Sequence, residues 1–110
     1  MDKLKKYRRI ITKILEEQAS YKASTGKIDD YAICDEKTDN YLLLNVGWHY
    51  SGRRQQGVPI HIRIKDGKVW LEWDGTDQEI AQQLADAGIP REDIVFPSFE
   101  AEIEEVKLAA

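Results

Sequence analysis

Residues 58–73 constrain this chain more than any other stretch. Ile60, Ile62 and Ile64 alternate with His61, Arg63 and Lys65. Asp66-Gly67 follows, and then Val69, Leu71 and Trp73 alternate with Lys68, Trp70 and Glu72. Strict alternation marks a strand with one face buried. Asp-Gly between two such runs is the expected type I′ hairpin turn, because both central residues need positive φ. A two-residue loop then fixes the register. Lys65 is expected opposite Lys68, Ile64 opposite Val69, Arg63 opposite Trp70, and Ile62 opposite Leu71. By the same count His61 falls opposite Glu72 and Ile60 opposite Trp73. One face is then wholly apolar and is expected to be core. The other sets Arg63 over Trp70 and His61 against Glu72. Pro59 donates no hydrogen bond and sits at a strand start, where strands tolerate it.

A lone ribbon is not stable in water, so the rest of the chain must cover its apolar face. Leu4, Tyr7, Ile11, Ile14, Leu15 and Gln18 recur at helical spacing, with lysines and arginines on the remaining surface. This pattern predicts an amphipathic helix over about residues 2–20. Asp2 near its start suits the helix dipole. Ser24, Thr25 and Gly26 mark a break. Residues 28–35 alternate loosely, with Tyr31 and Ile33 on one face. Tyr41 to Tyr50 is a strong strand signal, with Leu42, Leu44, Val46, Trp48 and Tyr50 on one face. Ser51 to Gln56 is a polar loop.

Thr76, with Glu79 three residues on, predicts a capping box for a second helix. Ile80, Leu84 and the alanines at 81, 85 and 87 form its apolar side. Gly88 at its end predicts a left-handed stop that sets Ile89 against Leu84, and Pro90 prevents continuation. Ile94 to Phe96 is an extended piece, and Glu100 to Ala110 has weak helical periodicity through Ile103 and Val106. The expected architecture is α+β: an N-terminal helix, a four-stranded antiparallel meander sheet, a second helix and a short C-terminal tail.

At 110 residues the chain is expected to form one domain over residues 1–110. Hydrophobic residues at 42% and charged residues at 33% are a globular composition. No apolar run approaches the roughly 20 residues of a membrane span. The charged N-terminus lacks the apolar core of a signal peptide, and Cys34 is the only cysteine. Together these point to the cytoplasm. A net charge of −4 gives no overall basic surplus for a nucleic-acid partner.

The search for chemistry is mostly negative. His49 and His61 are the only histidines, and no motif frames Cys34 as a nucleophile. No CxxC or HExxH spacing suggests a metal, and no glycine-rich loop suggests a phosphate cofactor. No catalytic residue, metal ligand or cofactor is expected. His61, Arg63, Trp70 and Glu72 are the candidate partner-binding surface, because Trp70 lies off the core face of the ribbon. Tryptophan and arginine are enriched in protein interfaces. Small-ligand chemistry on His61, Arg63 and Glu72 would need them in a concave pocket. The candidate nucleic-acid contact is Lys5, Arg8 and Arg9 of the first helix, together with Arg53 and Arg54.

A set of ordered strings also resembles a known family. They are the opening Met1-Asp2-Lys3-Leu4, Tyr7-Arg8, Asp39-Asn40-Tyr41-Leu42-Leu43-Leu44-Asn45-Val46-Gly47-Trp48 and Gly57-Val58-Pro59-Ile60. The match continues through the hairpin to Asp74-Gly75-Thr76, Ile80-Ala81, and Gly88-Ile89-Pro90-Arg91-Glu92-Asp93-Ile94-Val95. Over about residues 1–96 the chain is similar to the cyanobacterial XisI family, the fdxN element excision controlling factor proteins. The resemblance implies a non-enzymatic factor that controls excision of a DNA element during heterocyst differentiation, where a site-specific recombinase cuts the strands. It also implies a companion, the endonuclease-like XisH, as protein partner, and a homodimer is expected. The chain departs from the family at its end. There Phe96-Pro97-Ser98-Phe99 and the acidic Glu100 to Glu105 replace a tail containing proline, arginine and a closing threonine-aromatic-alanine stretch.

Overall fold

The computed structural model describes residues 2–21 and 24–98. The weak helical periodicity noted in the tail lies outside them. Helix α1 runs Lys3–Ser20, and Asp2 caps it by accepting a hydrogen bond from the Leu4 amide at 3.1 Å. Strands β1 (Gly26–Asp35), β2 (Asn40–His49), β3 (Arg54–Lys65) and β4 (Lys68–Asp74) follow as an antiparallel meander. Helix α2 (Ile80–Asp86) and a 3-10 turn (Arg91–Asp93) lead to β5 (Ile94–Val95). β5 pairs parallel with β4, so the sheet has five strands in the order β1-β2-β3-β4-β5 and is mixed. The expected four-stranded antiparallel sheet is corrected here. The α2 crossover returns the chain along the free edge of β4 in the same direction, as a parallel connection requires.

Asp66 and Gly67 both have positive φ, 53° and 75°, as the I′ turn demands. α2 ends as expected. The Gly88 amide bonds the Ala85 carbonyl and the Ile89 amide bonds the Leu84 carbonyl, both at 3.1 Å, with Gly88 at φ 118°. Its start differs from the expected capping box. Glu79 stands at the cap with φ 52° and makes no side-chain cap bond. Asp74 holds this end instead: Oδ1 accepts from the Thr76 amide and hydroxyl, and Oδ2 accepts from the Ile80 amide. The two carboxylate oxygens take three donors here, whereas the Thr76 hydroxyl accepts from the Gln78 amide.

α1 lies over β1, β2 and β3, and α2 packs against α1 and β5. Both helices cover the same side of the sheet, the inner face. Tyr7, Ile11, Ile14 and Leu15 of α1 meet Tyr41, Leu43, Ile60, Ile62, Ile64, Val69 and Leu71 of the sheet and Ile80 and Leu84 of α2. This single apolar cluster is the core.

A Tyr–Asp pair and an Arg–Asp clamp tie the helix to the sheet margins. The Tyr7 hydroxyl donates to Asp93, which also pairs with Lys3 at 3.2 Å. The Tyr41 hydroxyl donates to Asp39 Oδ1 at 2.7 Å, and Arg8 clamps the same carboxylate with two bonds of 2.9 and 3.0 Å. Burial and the Asp93 hydrogen bond push the Tyr7 hydroxyl up to about 12, and burial with Asp39 raises Tyr41 likewise. Arg8 holds Asp39 below the usual carboxylate range, and the Tyr7 hydroxyl does the same for Asp93.

Candidate functional site: the open face of the sheet

The inner face is decided by the isoleucines of β3. Residues paired across neighbouring strands share a face. Tyr41 pairs Ile62 and Leu43 pairs Ile60, so those two residues of β2 point into the core. The alternate row, Leu42, Leu44, Val46 and Trp48, therefore points away from the helices. Tyr31 pairs Leu44 and Ile33 pairs Leu42, which carries the outer row onto β1.

The hairpin register holds from Lys65–Lys68 to Ile62–Leu71 and then slips. His61 pairs Trp73 and Ile60 pairs Asp74, leaving Glu72 as the extra residue of a β-bulge. The expected His61–Glu72 and Ile60–Trp73 pairs do not form. The bulge turns Trp73 to the outer face, where it is 61% exposed. The core at this end is filled by Ile60, Ile80, Leu84 and Ile89, all fully buried, and an indole has no place among them.

Two rows thus cross the outer face: Asp35, Asn40, Arg63 and Trp70, then Ile33, Leu42, His61 and Trp73. His61 Nε2 hydrogen-bonds Asn40 Oδ1 at 2.9 Å, and the Arg63 guanidinium pairs with Glu72 at 2.8 Å. Trp70 is on this face as expected but is only 8% exposed. Its Nε1 donates to the Lys65 carbonyl at 3.2 Å, and the Lys65 ammonium lies 5.0 Å from the ring centre. Of the candidate partner-binding residues, Trp70 is therefore corrected: it is covered within its own chain. His61 and Arg63 lie on the open face, each engaged with a neighbour, and Glu72 also lines an open groove with Trp73, Ile80 and Phe96 at the α2 side of β4.

The exposed aromatics and aliphatics are different residues: Trp73, Trp48 (53%), Tyr31 (50%) and Ile33 (44%), with Leu42 and Leu44 half-buried between them. No described element covers them. Sequence reasoning missed this row because Tyr41–Leu44 is apolar at every position, and alternation then cannot say which side meets the helices. That run was itself a signal, since strands apolar on both faces belong to sheets covered on both faces.

Of the candidate nucleic-acid residues, Lys5, Arg8 and Arg9 line one open groove on α1, while Arg53 and Arg54 lie away from it. Arg8 is committed to Asp39 at the start of β2. Arg54 stacks on Trp48 at 5.0 Å, near the other end of that strand and on the opposite face. Eight residues of strand separate the two by roughly 26 Å. Lys5, Arg8, Arg9 and Lys13 share that groove with Asp2, Glu16 and Glu36, so its charge is mixed. Arg53 is exposed in the β2–β3 connection. Among the described residues, no group of three His, Cys, Asp or Glu side chains could hold a metal ion. No helix among them is long and apolar enough to cross a membrane.

The model of the XisI family, described as XisI protein, matches residues 1–106. The chain belongs to the XisI family. Two solved structures agree with that membership. A XisI-like protein from Anabaena variabilis ATCC 29413 is 39% identical with a TM-score of 0.75, the alignment covering 84% of each chain. The fdxN element excision controlling factor XisI from the same organism is 36% identical with a TM-score of 0.70. That alignment covers 86% of this chain and 90% of the other. No curated protein matches this family member.

Proposed function

We propose that this chain is a regulatory factor in excision of a DNA element, and that it acts by binding protein through the outer face of its sheet. The family and the name of the fdxN factor support the regulatory part. One observation carries the binding part: Trp73, Ile33 and Tyr31 stand exposed in two neighbouring rows, with Trp48 further along the same face, and no described element covers them. Contiguous apolar surface of this kind marks interaction sites. The endonuclease-like XisH, the companion that the family resemblance implies, is the partner proposed.

The test is excision in a reconstituted system of recombinase, companion and element-bearing DNA. A Leu42→Ser, Trp73→Ser double variant should melt cooperatively, since Trp73 lies outside the core, yet lose control of excision. Full control by the folded double variant would refute the reading.

A further inference from the structure

We infer that the outer face is closed by a second copy of this chain, sheet against sheet, about a two-fold axis parallel to the strands. This rests on the protein-binding reading above and names what holds that face in the companion's absence, so that the second copy and the companion compete for it. Three observations lead to it.

The first is size. Strands β1 to β4, spaced about 4.8 Å apart and about 23 to 40 Å long, make a face roughly 19 Å wide and on average about 30 Å long in plan. Side chains standing on it raise the accessible area toward the ~800 Å² per partner that a stable complex buries.

The second is shape. Stacked antiparallel sheets pack their strands within about 30° of parallel, with both inner faces apolar. Ile33, Leu42 and Trp73, which share their row with His61, and Tyr31 and Leu44 in the next row supply the apolar part of such a layer.

The third is charge, and it selects the axis. The β1 margin of this face carries Lys27, Asp29 and Asp35, an acidic excess. The β3–β4 margin carries Arg54, Arg63, Lys65 and Lys68 against Glu72, a basic excess. An axis parallel to the strands keeps each row at its own level and exchanges the margins, so β1 of one copy lies over β4 of the other. Asp35 then approaches the partner copy's row beside Arg63 and Lys68, and Ile33 meets Trp73. An axis across the strands would stack each margin on its own kind. Opposite charges face each other only in the first arrangement, which is the self-complementarity an isologous interface needs.

The experiment is sedimentation velocity on the full chain with two variants, Asp35→Lys and Lys68→Glu. Both positions are exposed, but Asp35 also accepts from the Lys37 amide and the Thr38 hydroxyl in the β1–β2 turn, so thermal unfolding first establishes that the Asp35→Lys chain is folded. The natural chain should be dimeric at about 50 µM, a concentration at which a standard-sized interface holds. Each variant alone should self-associate roughly tenfold more weakly, because like charges then meet twice per dimer. Mixed together they should recover a dimer near natural strength, since the mixed pair restores opposite charges at both contacts.

A chain that stays monomeric throughout overturns the inference. If the Leu42→Ser, Trp73→Ser variant then still loses the companion, the protein-binding reading survives with another occupant. If it keeps the companion, both fail. A dimer indifferent to both charge reversals, or a mixture no stronger than its parts, also overturns the proposed arrangement.

Discussion

Asp39 does more for this molecule than its place in a polar turn suggests. It sits at φ 55°, ends the β1–β2 turn, and receives both Arg8 and the Tyr41 hydroxyl, while its carbonyl accepts the Ile64 amide. Asn tolerates the left-handed region, so Asp39→Asn removes the charge and leaves the backbone at ease. Hydrogen bonds to charged groups contribute about 1.5–3 kcal/mol each, discounted here by partial exposure, so the substitution should cost about 2 kcal/mol in urea unfolding. pH dependence follows the same side chains. Asp39 and Asp93 are held below the ordinary carboxylate value of about 4. Their contribution is therefore present above that value and is lost as pH falls through their folded values. Tyr7 works in the opposite sense. Its contribution is intact below about 10 and is lost as pH rises toward about 12. Unfolding measured from pH 2 to 12 should show both limbs, and Asp39→Asn should flatten the acid one. The Tyr7–Asp93 pair was not legible in the sequence, because its residues meet only when the helix packs; Tyr41 and Asp39 stand two residues apart, but only the fold brings Arg8 to them.

At the scale of elements, local signals were reliable wherever one interaction decides them. Asp66-Gly67 forms its turn because few other residues accept two positive φ values. Gly88 stops α2 for the same reason, and the α1 stripe meets the sheet as its spacing predicts. Elements whose form depends on distant packing were not legible. The bulge at Glu72 answers a filled core at the end of β4, and the two-residue β5 exists only because α2 returns the chain to that edge. The α2 start is the sharpest case: the string Thr76–Glu79 has the spacing of a capping box, yet Asp74 reaches the Ile80 amide. Asp74→Ala should therefore cost about 1–2 kcal/mol, the usual worth of a cap, and Thr76→Ala clearly less. Thermal unfolding of the two variants side by side decides between them.

For the whole molecule the consequence is a sheet with two unlike sides. One is sealed by both helices around fully buried Tyr41, Ile60 and Ile62. The other presents aromatic rows with a charged border and is held open by the bulge that turns Trp73 outward. The alternating pattern places Trp70 exposed and Trp73 in the core, and the structure reverses their exposure across one inserted residue. The central claim is that binding resides on this outer face and not on the helices. Calorimetric titration of the XisH-like companion into three proteins tests it: the natural chain, Trp73→Ser, and Lys13→Glu on the exposed side of α1. The account predicts that Trp73→Ser weakens binding at least about thirtyfold, the loss of a 2 kcal/mol anchor, while Lys13→Glu leaves it unchanged. Unaltered affinity for Trp73→Ser together with loss for Lys13→Glu would contradict it.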